Sequence, residues 1–315
     1  MTKLFSIAPA STAPPTTPGV SLSPVPVDPG ILPAGYSSLV PFTAGADNVL
    51  YAYNKTANTA DVFLITTAAP YLKKVVSGST DLKGHSWDSL KAFTLGNNNY
   101  LLSYEATHGN LGFYAVNADY SLSQPYIFMN QRTWPTQNFT EVTPFVCVGL
   151  LYVLCYDGAK GTVAIFSLDV IASSTGGIPP LNMLNVWYHQ WAKGWQNFAF
   201  FPLGQSNFFF KINKAKLNVN IDHILDSPAQ GSVEIGSWLQ AQMPNAMDVA
   251  ISSIIPWVNG EPWLATFDGK TNALNIYRIH SDCQGWTNLN TTTVDPAKQM
   301  ISFQLAGTSY LLLYS

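Results

Sequence analysis

The 315-residue chain has few charged side chains: Asp, Glu, Lys and Arg together make up 10% of it, against about 25% in an average soluble protein. Long surface helices, which usually carry many charged residues, are therefore excluded as the dominant structure. The net charge of −3 provides no positive field for phosphate backbones, so nucleic-acid binding is not expected. The 13% aromatic content, with 22 Gly and 21 Pro, is typical of an all-β protein.

No apolar segment of the sequence is long enough to predict a signal peptide or a membrane-spanning helix. The apolar run near the amino terminus extends only from Leu4 to Ala8, whereas the core of a signal peptide needs about 7 to 15 residues. The longest strongly apolar stretch, Val142 to Tyr156, is shorter than the roughly 18 to 20 residues of a membrane-spanning helix. We therefore expect no membrane span, and a cytoplasmic or nonclassically secreted protein.

A repeat with a period of 46 to 56 residues runs along the chain. Its first column contains a large aromatic residue that ends a short apolar run: Phe42, Phe93, Phe145, Phe201, Trp257 and Phe303. A second column follows ten or eleven residues later: Tyr53, Tyr104, Tyr156, Ile212, Phe267 and Tyr314. A third column precedes the first by six residues: Tyr36, Trp87, Phe139, Trp195, Ile251 and Ala297. Three columns in register indicate six copies of one structural unit.

Each unit contains several short strand patterns separated by turn residues. In the second unit these are Ser86 to Leu95, Tyr100 to Tyr104, Leu111 to Val116 and Leu122 to Met129. Four antiparallel strands in about 50 residues are typical of a β-propeller blade. We therefore predict one all-β domain over residues 1–315, a six-bladed propeller of four-stranded antiparallel blades. A double β-sandwich array is the alternative. The blades are expected near 36–83, 84–133, 134–190, 191–246, 247–296, and 297–315 with 1–35.

The last unit is incomplete at the carboxyl terminus, because its second strand ends at Tyr314. The segment Lys3 to Ala8 resembles the third strands of other units, such as Ala164 to Asp169. A further strand at Val20 to Val27 contains prolines, which an outer edge strand tolerates. We therefore predict that strands from both termini build the last blade and close the ring.

No local catalytic or metal-binding motif is present. The nucleotide-binding patterns GxGxxG and GxxxxGK[ST] and the nucleophile pattern GxSxG are all absent. Asp222 and His223 are the nearest approach to an acid/base pair, but adjacent strand residues point to opposite faces. No catalytic residue, metal or cofactor is therefore predicted. The three cysteines are expected to be free thiols, with a Cys147–Cys155 disulfide as the alternative.

Aromatic side chains are the candidate ligand-binding groups. An aromatic ring beside polar residues can stack on the apolar face of a sugar while its neighbours bind the hydroxyl groups. The richest such segment is Trp187 to Trp191, followed closely by Trp195. The predicted ligand-binding residues are Trp87, Trp134, Tyr188, Trp191, Trp195 and Trp286.

In repeat length, aromatic content, low charge and lack of catalytic motifs, the chain resembles the β-propeller lectins of fungi, invertebrates and bacteria. The resemblance implies a non-enzymatic carbohydrate-binding module with several weak, repeated sites, whose partners are glycans or glycoproteins, with homo-oligomer formation left open. A protein-interaction scaffold, such as a secreted or host-directed factor, is one alternative. The other is a propeller hydrolase, lyase or isomerase with one site in the central channel, where an unrepeated His85 or His223 would project.

Overall fold

A computed structural model describes residues 2–9, 20–28, 30–82, 84–95, 98–123, 126–128, 138–170, 181–204, 206–227, 232–243, 248–258 and 261–315. These residues form six four-stranded antiparallel sheets. The predicted all-β, six-bladed propeller is confirmed, and the period of about 50 residues corresponds to one sheet.

The strands of blades 1 to 5 follow one another in chain order within each sheet. Blade 1 contains β3 (Ser38–Ala44), β4 (Asp47–Asn54), β5 (Thr59–Ile65) and β6 (Leu72–Ser79). Blade 2 contains β7 (Ser89–Leu95), β8 (Asn98–Glu105), β9 (Asn110–Ala115) and β10 (Tyr126–Phe128). Blade 3 contains β11 (Glu141–Cys147), β12 (Leu150–Tyr156), β13 (Thr162–Val170) and β14 (Leu181–Gln190).

The remaining blades complete the ring. Blade 4 contains β15 (Trp195–Leu203), β16 (Ser206–Asn213), β17 (Asn218–Ser227) and β18 (Ser232–Gln242), with a short 3-10 helix at Lys214–Lys216. Blade 5 contains β19 (Val249–Val258), β20 (Glu261–Asp268), β21 (Ala273–Ile279) and β22 (Trp286–Thr293). Blade 6 contains β23 (Gln299–Leu305), β24 (Thr308–Tyr314), β1 (Lys3–Pro9) and β2 (Val20–Val25).

The ring is closed through the first strand of every blade. Each of these strands contacts the first strands of both neighbouring blades, in the order β3, β7, β11, β15, β19, β23 and back to β3. Successive side chains along a strand face opposite sides of the sheet, so each blade packs one apolar face against the preceding blade and one against the next. Six buried clusters result, one at each junction between blades.

The second repeat column has a structural role between blades. The hydroxyl of Tyr104 accepts a hydrogen bond from the backbone N–H of Phe139 in the next unit at 3.0 Å. Tyr156 accepts from Trp195 N–H at 3.2 Å in the same way. Each bond joins the second column of one unit to the third column of the next. The constant spacing of the two columns in the sequence therefore reflects packing between blades.

Strands from both termini build blade 6, as predicted, with the sheet order β2-β1-β24-β23. Leu4 of β1 pairs with Leu312 of β24, and both side chains are buried. Tyr314 then joins this blade to blade 1, because its hydroxyl accepts from Tyr36 N–H at 3.0 Å and donates to the Pro33 carbonyl at 2.8 Å. The closure strands therefore belong to the core of the ring.

The three cysteines are buried free thiols. Cys155 packs in the cluster between blades 2 and 3, whereas Cys147 packs in the cluster between blades 3 and 4. The two thiols thus lie on opposite faces of one sheet, which rules out the disulfide alternative. Among the described residues, no helix is long and apolar enough to cross a membrane.

Candidate functional site

A pocket of about 310 Å³ lies between blades 3 and 4. Its walls come from the end of β14, the connection from β14 to β15, and strands β16 to β18. The lining residues are Gln190, Trp191, Ala192, Trp195, Lys211, Lys216, Asn218, Asn220, Asp222, Ile235, Ser237 and Gln240. Its volume is at the lower end of the range for small-molecule sites, and its lining is mainly polar.

The pocket contains a buried ion pair. Lys211 on β16 and Asp222 on β17 are only 3% and 2% exposed, and the Lys211 ammonium contacts the Asp222 carboxylate. Strand register brings them together: Lys211 is opposite Asn220 and Asp222 is opposite Phe209, so all four side chains share the sheet face that packs against blade 3. An ion pair buried to this degree loses much of its hydration energy.

Three aromatic rings surround the ammonium of Lys211. Its Nζ lies 3.3 Å from the ring centroid of Trp191, 4.8 Å from that of Trp195 and 5.4 Å from that of Phe209. These rings attract the cation through their electron-rich faces and shield it from water. The connection between the two blades and the first residue of β15 thus each supply a tryptophan that contacts a lysine of blade 4.

Burial shifts the titration of both charged groups towards the neutral forms. It lowers the pKa of Lys211 below the ordinary lysine value, although the Asp222 carboxylate opposes this shift. It raises the pKa of Asp222, although Lys211 and the hydrogen-bonded Asn220 oppose this shift. A carboxyl group with a raised pKa in a polar pocket is suited to exchange a proton with a bound ligand.

The other five blades show what normally occupies these two positions. The column of Lys211 otherwise contains small or apolar side chains, namely Ala52, Ser103, Cys155, Thr266 and Leu313. The column of Asp222, defined by its pairing with the second strand, otherwise contains only aromatic residues, namely Phe63, Tyr114, Phe166, Tyr277 and Phe5. Blade 4 alone therefore has a charged pair there.

The exchange of an aromatic ring for a carboxylate explains the pocket. Phe63 in blade 1 is completely buried and fills the space against the preceding blade. Asp222 is much smaller, so the equivalent space in blade 4 stays open to the polar residues around it. The site is thus a local departure from a repeat that otherwise specifies dense packing.

Amide side chains provide further hydrogen-bonding groups. Asn218, Asn220 and Gln240 project from β17 and β18 on the face that carries Asp222. The Oδ1 atom of Asn220 is buried and has no hydrogen-bond partner among the described residues. A buried acceptor of this kind is costly unless a ligand or water satisfies it. The pocket therefore presents an unused acceptor next to the ion pair.

A second departure from the repeat lies at the end of β8. In the other blades whose turn is described, an Asp or Asn after the second strand accepts hydrogen bonds from turn N–H groups, as Asp157 and Asp268 do. Blade 2 has the buried Glu105, whose carboxylate lies 3.1 Å from His108 Nδ1 and 3.4 Å from His85 Nδ1. Asn110 also donates to it at 2.6 Å. This cluster has no described cavity beside it.

One other described cavity, of about 290 Å³, lies at the outer strands of blade 6 and is lined by residues 2–5 and 24–27. Its only titratable side chain is Lys3, which pairs with Asp295 at 2.7 Å. No carboxylate or imidazole is among its lining residues. Within the described part of the chain, no group of three or more His, Cys, Asp or Glu residues is arranged to hold a metal ion.

The predicted ligand-binding aromatics are not brought together at one site. Trp191 and Trp195 line the pocket between blades 3 and 4. Trp87 is fully buried against Tyr114 and has no ring face open to solvent. Tyr188 is 59% exposed but pairs with Ala164, on the face of blade 3 that packs towards blade 2.

The structure describes one of the two remaining aromatics, Trp286. Trp286 on β22 is partly buried and packs against the cluster between blades 4 and 5. Trp134 lies outside the described residues. Trp286 does not belong to the lining of the pocket.

The two histidines considered for a channel site each contact aromatic rings. His85 precedes β7 and stacks on Trp87, and His223 on β17 stacks on Phe208 with Trp238 at its edge. Asp222 and His223 do point to opposite faces of their strand, as expected. The partner of Asp222 is Lys211, which motif analysis missed because the two residues come together only through strand register. The signal available in the sequence was a single lysine in a column of otherwise small or apolar residues.

Comparisons with known proteins identify the architecture but no family. No family model and no curated protein matches the sequence. A 6-phosphogluconolactonase-like protein from Bacteroides fragilis has a TM-score of 0.56 at 14% identity, with 95% of this chain and 84% of that chain covered. The periplasmic gluconolactonase of Pseudomonas aeruginosa gives 0.50 at 12%, with coverage of 92% and 96%. An exo-β-1,3-galactanase from Clostridium thermocellum gives 0.53 at 9%, with coverage of 83% and 66%.

These comparisons correct the functional interpretation. The resemblance to propeller lectins holds for the architecture alone, because the three solved structures named above are two lactonase-type proteins and a galactanase. They contradict the prediction of a non-enzymatic lectin with several repeated sites, which is therefore wrong. The pocket also argues against repeated sites, since its charged pair occurs in one blade and has no counterpart in the others.

Proposed function

We propose that the protein is a hydrolase of small cyclic esters, of the sugar-lactone class, and that the pocket between blades 3 and 4 is its active site. The observation that carries this proposal is the buried Lys211–Asp222 pair, which replaces a small-plus-aromatic packing pair in one blade. Buried charges that open a polar pocket and shift each other's pKa are typical of functional sites. The active site is thus expected between two blades and not in the central channel.

The chemistry follows from the two charged groups. A water molecule attacks the ester carbonyl carbon, and the Asp222 carboxylate takes a proton from that water. The Lys211 ammonium stabilises the negative charge that develops on the carbonyl oxygen. The carbon–oxygen bond of the ring then breaks, and the proton passes to the departing ring oxygen. The product is the open-chain hydroxy acid, so one water is consumed for each ester.

The remaining lining residues suit a compact polyhydroxylated substrate. Gln190, Asn218 and Gln240 offer amide donors and acceptors for hydroxyl groups. The Oδ1 atom of Asn220 supplies an acceptor that has no described partner. Trp191 and Trp195 contribute apolar surface beside the cation. A cavity of about 310 Å³ accommodates one monosaccharide unit and little more.

The count of carboxylates favours an ester over a glycoside as substrate. Glycoside hydrolysis usually requires two carboxyl groups on either side of the scissile bond. Among the described residues that line the pocket, Asp222 is the only carboxylate. Ester hydrolysis needs a base and a group that stabilises an oxyanion, and Asp222 and Lys211 can supply these. The names of the two lactonase-type structures support the same class of substrate.

A substrate screen tests the proposal. Acid release from a panel of aldonolactones is measured at pH 7, above the spontaneous rate, beside nitrophenyl glycosides of the common hexoses. We expect lactone hydrolysis by the native protein and none by the double variant Lys211→Ala/Asp222→Phe, which restores the residue pair of blade 1. Thr266→Val, a substitution in the Lys211 column of blade 5, is the matched control and should keep full activity. Glycoside hydrolysis without lactone hydrolysis would reject the proposed class.

A further inference from the structure

Three lysines lie on the two segments that border the pocket, the connection before β15 and the 3-10 helix before β17. Lys193 follows the lining residues of the connection between blades 3 and 4, and its carbonyl accepts a hydrogen bond from Asn213 at 2.7 Å. Lys214 and Lys216 lie in the 3-10 helix between β16 and β17, and Lys216 itself lines the pocket. We call these three residues the lysine rim. Lys214 and Lys216 closely follow Lys211, the buried lysine of the ion pair, in the chain.

The lysine rim has no acidic counterpart. Residues 170–221 contain four lysines and not one Asp or Glu, although the whole chain has more acidic than basic residues. Among the described residues, no carboxylate lies within 4 Å of the three rim ammonium groups. In blades 3 and 4, Asp157 pairs with Lys160 and Asp222 pairs with Lys211.

The lysine rim combines two exposed ammonium groups, those of Lys193 and Lys216, with the less exposed one of Lys214. Lys214 is half-buried, and burial lowers its pKa with no neighbouring charge to oppose the shift. A bound anion would stabilise the ammonium forms of the rim through charge-assisted hydrogen bonds. Positive charge at the mouth of a cleft also concentrates anionic substrates there.

We infer that the substrate carries an anionic group, a phosphate or a carboxylate, which the lysine rim binds while the ester reaches the Lys211–Asp222 pair. This inference deepens the proposed function and rests on it. It separates recognition from chemistry, because Lys216 is at the mouth and Asp222 is 2% exposed at the base of the pocket. Lys216 is accordingly assigned to substrate binding, with no part in the bond-breaking step.

Kinetics on matched substrates test the assignment. A neutral aldonolactone is compared with its terminal phosphate ester and with the corresponding uronic acid lactone, which separates the two sources of anionic charge. Lys216→Gln should raise KM for the preferred anionic lactone about tenfold and leave KM for the neutral lactone within about twofold. Lys270→Gln, in the equivalent turn of blade 5, is the control and should change neither value. Equal KM values for neutral and anionic lactones, unaffected by Lys216→Gln, would overturn the inference while the hydrolase proposal stood.

A binding measurement keeps the inference independent of turnover. Inorganic phosphate is titrated into the native protein by calorimetry at low salt, and the titration is repeated with Lys193→Gln/Lys216→Gln. We expect one phosphate per chain, weakened at least tenfold in the double variant and progressively weakened by added salt. Phosphate binding without lactone hydrolysis would support the anion site and reject the hydrolase. Lactone hydrolysis in a protein that binds neither phosphate nor a simple carboxylate such as acetate would reject the anion site.

Discussion

The ammonium of Lys211 lies 3.3 Å from the centre of the Trp191 ring, although the two residues belong to different blades. Lys211 is on the second strand of blade 4, and Trp191 is in the connection that leaves blade 3. The contact places the cation where the two sheets meet and fixes it beside Asp222. The geometry of the proposed active site therefore depends on the packing of one blade against the next.

Removal of the Trp191 ring should weaken catalysis through Lys211. A cation–π contact at a desolvated site contributes about 2 kcal/mol, so Trp191→Leu is expected to lower kcat/KM roughly tenfold to thirtyfold. Trp286→Leu, which alters a partly buried tryptophan between blades 4 and 5, is the comparison and should leave kcat/KM unchanged. Steady-state kinetics on both variants, with melting temperatures as a folding check, measure this. Equal losses in both would mean that the Trp191 effect is one of general packing.

The Lys211–Asp222 ion pair should be needed for activity but should not increase the free energy of unfolding. Lys211→Met leaves the Asp222 carboxylate buried without a partner and should lower the unfolding free energy by about 3 to 5 kcal/mol. Lys211→Ala/Asp222→Phe restores the Ala52 and Phe63 pair of blade 1 and should be at least as stable as the native protein. Urea denaturation measures both. A double variant less stable than Lys211→Met would show that the pair is mainly structural.

The pH profile of activity should reflect the raised pKa of Asp222. Burial is the main cause of this shift, and the catalytic base must be ionised. Activity should therefore fall with decreasing pH around a midpoint above the ordinary aspartate value of about 3.9. On the alkaline side, the lowered pKa of Lys211 should bring the loss of activity below the ordinary lysine value of 10.5. A profile that is flat from pH 4 to 10 would exclude this pair as the titrating groups.

The sequence predicts the architecture because its repeat is carried by packing. The columns of Tyr104 and Phe139 keep register through a hydrogen bond that joins neighbouring blades, so any change there affects the ring. The position of β1 was predictable for the same reason, since Lys3 to Ala8 has the pattern of a third strand. By contrast, Lys211 and Asp222 are eleven residues apart on two strands and meet only when register is known.

The same repeat explains which aromatic predictions lead to the pocket. Trp87 and Trp195 occupy one column, and both are buried between blades. Trp195 lines the pocket because its neighbour in blade 4 is the small Asp222, whereas Trp87 meets the ring of Tyr114, which fills the equivalent position. Aromatic excess alone does not separate these cases. Comparison of the columns across the six units does.

Deletion of the first nine residues should destabilise the entire ring. Leu4 and Ile7 of β1 are each 2% exposed and pack in the two clusters on either side of blade 6. Without β1, the strand β24 becomes an unpaired edge and β2 loses its attachment. We expect the melting temperature to fall by more than about 10 °C or cooperative unfolding to disappear. A melting temperature equal to that of the full chain would contradict the closure by both termini.

The Glu105 cluster should contribute to stability at mildly acidic pH and not to activity. Burial alone would raise the pKa of Glu105, but hydrogen bonds from His108, Asn110 and His85 outweigh it and lower the pKa below the ordinary value of 4.5. The contribution of Glu105 is therefore present above pH 4.5 and is lost as pH falls through its lower folded-state pKa. Urea denaturation at several pH values should give a steeper loss below pH 4.5 in the native protein than in Glu105→Gln. Identical slopes would mean that Glu105 does not titrate differently on folding.

The most direct test of the active-site assignment is kcat/KM of Asp222→Asn on the lactone that the native protein hydrolyses fastest. Glu105→Gln, in which another buried carboxylate becomes an amide, is the control. Removal of a general base lowers the rate by about 10² to 10⁴. We predict a loss of at least a hundredfold for Asp222→Asn at an unchanged fold, judged by circular dichroism, and a change of less than about twofold for Glu105→Gln. Retention of native kcat/KM by a folded Asp222→Asn protein would contradict the assignment of the pocket between blades 3 and 4 as the active site.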